Sequence, residues 1–159
     1  MGMGEALSAQ LAAKVGEVKD AVSGMTEAQA AKAKADGEWS AKQVLSHLCG
    51  DSDALSMYKF KRFLDEDNPD LGPGLTPGSY GDVRKDAPIP ELLAKIDTDY
   101  AAIGTFFAGL NDEQLARKAH IPFLKETPLG EYPTLGQWAG AVINFHLADH
   151  VNQLRALSN

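Results

Sequence analysis

The chain has 159 residues and a formal net charge of −7, which is enough sequence for one domain with a buried core. Its basic residues are spread along the chain, which argues against nucleic-acid or anionic-membrane binding as the main activity. The single cysteine excludes an intramolecular disulfide and fits a reducing cytoplasm. We recognise neither a secretory signal nor a segment that could cross a bilayer.

The first half of the chain predicts two amphipathic helices. Residues 5–25 carry apolar side chains at three- and four-residue steps. Residues 26–35 begin with a capping-box pattern, and they either extend this helix or form a short separate turn. Ser40 and Gln43 form a second capping box, which predicts a helix over residues 40–64. The buried stripe of this helix is expected to contain Val44, His47, Leu48, Asp51, Leu55 and Tyr58.

Residues 65–88 are rich in aspartate, proline and glycine, so they predict a long loop. Such a loop is either a functional cover or mobile surface, and mobile surface is the commoner case. A third helix is predicted over residues 90–109, with Tyr100 on its buried stripe.

After the third helix, residues 111–115 predict a single capped turn. Residues 120–132 predict extended chain or a weak hairpin, and Pro122 argues against a central strand. Thr134 and Gln137 open a fourth helix over residues 134–157. The predicted fold is therefore an all-α four-helix bundle in one domain, 1–159, with the long loop between helices 2 and 3 and the irregular segment before helix 4.

Two histidines in the predicted fourth helix, His146 and His150, are four residues apart. At this spacing side chains are rotated by only about 40° and lie about one turn apart, so both imidazoles leave the same face. That face continues an apolar stripe, so both rings are expected to point inward. An inward imidazole needs a hydrogen-bond partner or a metal ion, and the pair alone does not decide between them.

A third histidine changes this balance. His47 lies on the buried stripe of the predicted second helix, and in a bundle the second and fourth helices can face each other. Three neutral imidazoles form a three-coordinate protein site with at least one position left for water or substrate. The sequence therefore predicts a metal site made of His47, His146 and His150.

Several short motifs in the chain resemble those of one protein family. They are Glu38-Trp39-Ser40, Val44, His47-Leu48, Thr134-Leu135-Gly136 and the His146-xxx-His150-xxx-Leu154 run. Together they resemble the DinB and YfiT-like superfamily of proposed metalloenzymes over most of the chain. The resemblance implies a four-helix bundle with His47, His146 and His150 on a divalent metal ion, often in a homodimer. Characterised members of that superfamily include S-transferases that use low-molecular-weight thiols and the mycothiol-dependent maleylpyruvate isomerase.

We therefore expect a cytoplasmic metal-dependent enzyme that acts on a small molecule and has no nucleic-acid or membrane partner. The expected metals are zinc or nickel, with iron as a further option. A divalent ion on three imidazoles would lower the pKa of a bound water or of a low-molecular-weight thiol. The thiol would give S-transfer and the water would give hydrolysis, and the sequence does not separate these reactions.

Asp51, one turn after His47, is the best local candidate for a general base. It could equally be a fourth ligand, an acceptor for an imidazole N–H, or an exposed carboxylate. Asp149 and Gln153 flank the histidine pair with a weaker case, and His120 lies outside the predicted helices and reads as a surface residue.

Two other function classes fit the same sequence. One is a bundle that binds a metal or a small molecule without turnover, and the other is a structural domain with hydrogen-bonded core histidines. Metal analysis separates the structural domain from the other two classes. A metal position open to a pocket would favour the enzyme over the binder.

Overall fold

The structure, a computed structural model, describes residues 1–49, 56–73 and 81–159. Within these ranges the regular structure is helical, with isolated β-bridges in place of strands. The helices are α1 (Met3–Val22), α2 (Glu27–Ala30), α3 (Ala41–Leu48), α4 (Met57–Asp65), α5 (Ile89–Ala108), α6 (Asp112–Leu115), α7 (Leu135–Ala141) and α8 (Ala148–Leu157). A π-helical turn, Val142–Leu147, joins α7 to α8.

Four helical segments form the bundle: α1, α3 with α4, α5, and α7 with the π-helical turn and α8. Helix α1 packs against α5 and α8, and α3 packs against the same two helices from the other side. Helices α3 and α8 are therefore neighbours, as the sequence predicted for its second and fourth helices. The all-α four-helix bundle is confirmed.

The core of the bundle lies between these helices. Each contributes apolar side chains that are almost fully buried, and burial of one such side chain contributes about 1.5–3 kcal/mol. Representative members are Leu11, Val18, Val44, Leu45, Phe60, Phe63, Ile96, Phe107, Leu135, Ile143, Leu147 and Leu154. Among the described helices, none combines the length and the apolar character that a membrane crossing would require.

The predicted helix starts are formed as capping boxes. The Ser40 hydroxyl accepts from the Gln43 amide at 3.2 Å, and the Gln43 side chain accepts from the Ser40 amide at 2.8 Å. Thr134 and Gln137 make the same pair of bonds at the start of α7. Thr26 also caps a helix, and that helix is the short α2, so of the two readings of residues 26–35 the separate turn is correct.

The predicted second helix is present as two helices. Helix α3 ends at Leu48 and α4 begins at Met57, while residues 50–55 are not described. The expectation that Tyr58 is buried is wrong, since this residue is 68% exposed and its ring lies beside the Arg62 guanidinium. A helical wheel assumes one axis and one register from residue 40 to residue 64, and the separate second helix breaks that assumption.

The described parts of the loop over residues 65–88 are tied to the bundle. Near its start, Leu71 is buried and its amide donates to the His120 carbonyl at 2.9 Å. Near its end, the Arg84 amide donates to the Ser46 hydroxyl at 2.8 Å, and Gln43 donates to Asp82 at 2.9 Å. These parts of the loop are held on the bundle by hydrogen bonds. Residues 74–80 are not described.

The segment before α7 is irregular and contains isolated β-bridges. Lys118 and Thr134 form an antiparallel bridge, and the Ile121 amide donates to the Glu131 carbonyl at 2.8 Å. Pro122 does not lie in a strand and instead begins a 3₁₀ turn, Pro122–Leu124. A proline has no amide to donate to a ladder, which is the physical reason for the turn.

Candidate metal centre

Three histidine side chains meet between α3 and the last helical segment. The ring of His47 lies 5.4 Å from that of His146 and 4.8 Å from that of His150, centroid to centroid. The rings of His146 and His150 are 4.7 Å apart. His47 is 3% exposed, whereas the other two are half-buried. The cluster therefore lies at the edge of the core, where a small molecule could approach it.

The donor set of this cluster fits a divalent transition metal. One candidate ligand atom from each of the three histidines lies within 4.8 Å of the others. Zinc–nitrogen bonds of about 2.1 Å in tetrahedral geometry place two ligand nitrogens about 3.4 Å apart. Imidazole ligands suit zinc, nickel, iron and copper. Small rotations of the three side chains would bring the nitrogens to bonding distance.

Helix α3 fixes the position of His47. The helix is capped at its start by Ser40, and near its end the Leu48 carbonyl accepts a hydrogen bond from the buried Tyr100 hydroxyl at 2.7 Å. The Trp39 ring lies 5.1 Å from the His47 ring. A Cβ atom at Gly81 would come within 2.7 Å of that tryptophan, so glycine allows the end of the long loop to pack on it.

The π-helical turn positions the other two histidines. His146 lies inside the turn and His150 lies in α8, directly after it. A π turn contains one extra residue, which rotates the following side chains by about 100° relative to an unbroken α-helix. Such turns are rare and frequently lie at functional sites. The periodicity of the sequence carried no sign of this turn.

Gln153 contacts the cluster through His150. Its Oε1 atom lies 3.0 Å from Nδ1 of His150, one turn earlier in α8. From the sequence, Gln153 had only a weak case as a site residue that flanks the histidine pair. The i, i+3 spacing on a helix was the available signal for this contact.

The remaining candidates are not part of the described cluster. Asp51 lies outside the described residues, and Asp149 is exposed. His120 has other partners: its ring nitrogens face Glu131 at 3.2 Å and Asp70 at 3.8 Å, and its ring stacks on Tyr132. His120 therefore links the start of the long loop to the segment before α7.

The sequence profile of the DinB superfamily matches residues 10–154, which is most of the chain. The chain belongs to the DinB superfamily. No curated protein is significantly similar to it in sequence. This DinB-superfamily chain is similar in structure to YfiT from Bacillus subtilis, described as "a probable metal-dependent hydrolase with an unusual four-helix bundle topology". The TM-score is 0.77 at 24% sequence identity, over 98% of this chain and 85% of that of YfiT. At this identity the likeness establishes the fold.

Proposed function

We propose that this protein is a metal-dependent enzyme and that His47, His146 and His150 hold its divalent metal ion. The observation that carries the proposal is the convergence of three imidazoles from distant parts of the chain, with candidate ligand atoms within 4.8 Å of one another. Membership of the DinB superfamily supports it. The description of YfiT as a probable metal-dependent hydrolase supports it further.

The chain's own residues divide the work at this site. When bound, a divalent ion would supply Lewis acidity toward water or a thiol. His47 approaches from the core and Trp39 packs beside it, which limits water on that side. His146 and His150 are half-buried, so part of each side chain is exposed to solvent.

Hydrolysis is the first reaction class to test, because it is the class named for the structural relative YfiT. Transfer of a low-molecular-weight thiol is the second, and the family resemblance of the histidine motifs supports it. Zinc and nickel are the first metals to test and iron is the next, since imidazole accepts all three.

Metal analysis of protein purified without a histidine tag tests the proposed site. We expect about one zinc or nickel ion per chain, as three imidazoles bind one ion. The variants His47→Ala, His146→Ala and His150→Ala should each lose most of this metal. His120→Ala is the matched control and should keep it, because His120 faces Glu131 and Asp70 instead. If the wild-type protein contained no metal after incubation with each ion, the proposal would be overturned.

Activity assays then separate the reaction classes. Metal-loaded protein would be incubated with ester and amide substrates for hydrolysis, and with monobromobimane plus a panel of cellular thiols for S-transfer. A turnover that disappears in His150→Ala and persists in His120→Ala assigns the class. Stoichiometric metal without turnover in either assay would favour the non-catalytic binder.

Asp51 remains the sequence-based candidate for the general base, four residues after His47 in the sequence. The Asp51→Asn variant distinguishes its possible roles. A general base predicts normal metal content with a rate reduced by about 10²–10⁴-fold. A fourth ligand predicts reduced metal content instead, and an exposed carboxylate predicts no change in either quantity.

A further inference from the structure

The contact between Gln153 and His150 restricts where the imidazole can carry its proton. The atom of Gln153 that faces Nδ1 of His150 is the carbonyl oxygen Oε1, at 3.0 Å. A carbonyl oxygen only accepts hydrogen bonds, so Nδ1 of His150 donates in this contact when it carries the ring proton. In a neutral imidazole a proton on Nδ1 leaves the lone pair on Nε2.

This arrangement favours the tautomer whose Nε2 lone pair is available to a metal ion. Only the unprotonated ring nitrogen can bind a cation, and free neutral histidine otherwise favours the proton on Nε2. Partners that hold the second ring nitrogen of a ligating histidine fix both the tautomer and the ring orientation. Gln153 also has the correct direction for this task, because helical side chains lean toward the helix N-terminus and therefore toward His150.

We infer that Gln153 is a positioning residue that keeps the proton of His150 on Nδ1 and presents Nε2 to the metal. The inference rests on the proposed function, since it concerns one of the three proposed ligands. It adds a residue outside the histidine triad to the site. Loss of such a partner lowers metal affinity about 10–100-fold in known metal sites.

The surroundings of Gln153 determine which variants are informative. Gln153 lines a surface groove of about 490 Å³ together with Trp39, Lys34 and Leu157. Truncation to alanine would therefore admit water, which can accept from Nδ1 in place of the amide. Gln153→Leu fills a similar volume without an acceptor. Gln153→Glu keeps an acceptor at the same place, and Asn152→Leu, at an exposed neighbouring position, is the control.

Two measurements test the inference. The first is zinc affinity by competition with a chromophoric chelator, for the wild type, these three variants and His146→Ala. We expect Gln153→Leu to bind about 10–100-fold more weakly, and Gln153→Glu and Asn152→Leu to bind at least nearly as tightly as the wild type. The second is the ¹⁵N chemical shifts of the His150 ring in metal-free protein. We expect a proton on Nδ1 in the wild type and a shift toward Nε2 in Gln153→Leu.

The outcomes distinguish this inference from the proposed function. If the wild type binds zinc, His146→Ala does not, and Gln153→Leu binds as tightly as the wild type, the role of Gln153 is refuted while the metal site stands. A wild-type His150 ring protonated on Nε2 also refutes that role. Failure of the wild type to bind zinc refutes both ideas. Normal affinity in Gln153→Glu combined with weak affinity in Gln153→Leu supports the inference.

Discussion

At the scale of single residues, one carboxylate joins three elements near the start of α3. Glu27 of α2 pairs with Lys42 of α3, whose side chain is almost buried, and it accepts from the Ile89 amide at the start of α5 at 2.9 Å. The Lys42 ammonium, followed by the Ile89 amide, holds the pKa of Glu27 below its usual value of 4.5. The ionised form is therefore stabilised by folding.

This carboxylate gives a pH-dependent prediction. Since the folded pKa is lowered, the stabilisation is present above pH 4.5 and is lost as the pH falls through the folded pKa. We expect Glu27→Gln to unfold at lower urea concentration than the wild type at pH 7, and this difference to shrink below pH 4.5. Glu126→Gln, at an exposed loop position, should leave the midpoint unchanged at both pH values. A Glu27→Gln midpoint equal to that of the wild type at pH 7 would contradict this.

Tyr100 gives a second prediction at the residue scale. Its buried hydroxyl donates to the Leu48 carbonyl, next to His47. We expect Tyr100→Phe to lower the free energy of unfolding by about 1–2 kcal/mol, because a buried carbonyl loses a donor. Tyr58→Phe is the matched control and should change it by less than about 0.5 kcal/mol, since Tyr58 is exposed. Equal effects of the two substitutions in urea unfolding would refute this assignment.

The residue scale also shows what sequence reasoning could reach at the site. The convergence of His47, His146 and His150 was predictable, because a four-residue spacing and the apolar stripes of the helices determine which side chains share a face. Gln153 was underestimated, although its i, i+3 position allows the contact, because the direction of a long side chain depends on its partner. The prediction that Tyr58 is buried was wrong because it assumed one continuous helix from Val44 to Tyr58, fourteen positions later.

At the scale of elements, we expect alanine substitutions at two glycines of α1 to change the free energy of unfolding in opposite directions. A Cβ atom at Gly4 would lie 2.2 Å from the Phe107 carbonyl oxygen, so α1 and α5 touch there through their backbones. At Gly16 a Cβ atom would meet nothing within 4 Å. Gly4→Ala should therefore lower the free energy of unfolding by about 1–3 kcal/mol through overpacking. Gly16→Ala should raise it by about 0.5–1 kcal/mol by favouring the helix.

Urea unfolding of both variants checks the pair, and each is a control for the other within one helix. If both substitutions raised the free energy of unfolding, or both lowered it, the described approach of α1 to α5 would be contradicted. The pair also bears on the fold that supports the proposed metal site, because α5 contacts α3 through Tyr100 and Leu48.

Some features of the helices follow from residues that are close in the sequence, whereas others depend on contacts between distant parts of the chain. The helix starts at Ser40, Asn111 and Thr134 were predictable because a capping box needs only residues three positions apart. The π-helical turn at Val142–Leu147 was not predictable, because its residues have the same apolar periodicity as an α-helix. The turn packs against α1, and such a contact between distant parts of the chain cannot be inferred from a local sequence pattern.

At the scale of the whole molecule, the proposed metal would link the first half of the chain to the last helix. His47 belongs to α3, and His146 and His150 lie at the other end of the sequence. A ligand that binds only the folded state stabilises it, by about 2.7 kcal/mol at a free concentration 100 times its Kd. Unfolding would separate the three imidazoles, so a bound metal ion would oppose it.

We therefore expect zinc to raise the thermal midpoint of the wild type and of His120→Ala, and a chelator to reverse this. The midpoint of His47→Ala should not respond, because only two ligands remain. Differential scanning calorimetry measures all three proteins under the same conditions. A zinc response of equal size in His47→Ala would show that the stabilising ion binds elsewhere.

The direct test of the central claim is X-ray absorption spectroscopy at the zinc edge of protein loaded with one equivalent of zinc. The account predicts three imidazole nitrogens at about 2.0–2.1 Å in the wild type. It predicts an imidazole count below three in His47→Ala, because that variant binds zinc weakly or not at all. A wild-type spectrum with fewer than three imidazoles, or an unchanged imidazole count in His47→Ala, would contradict the claim that these three histidines together hold the metal.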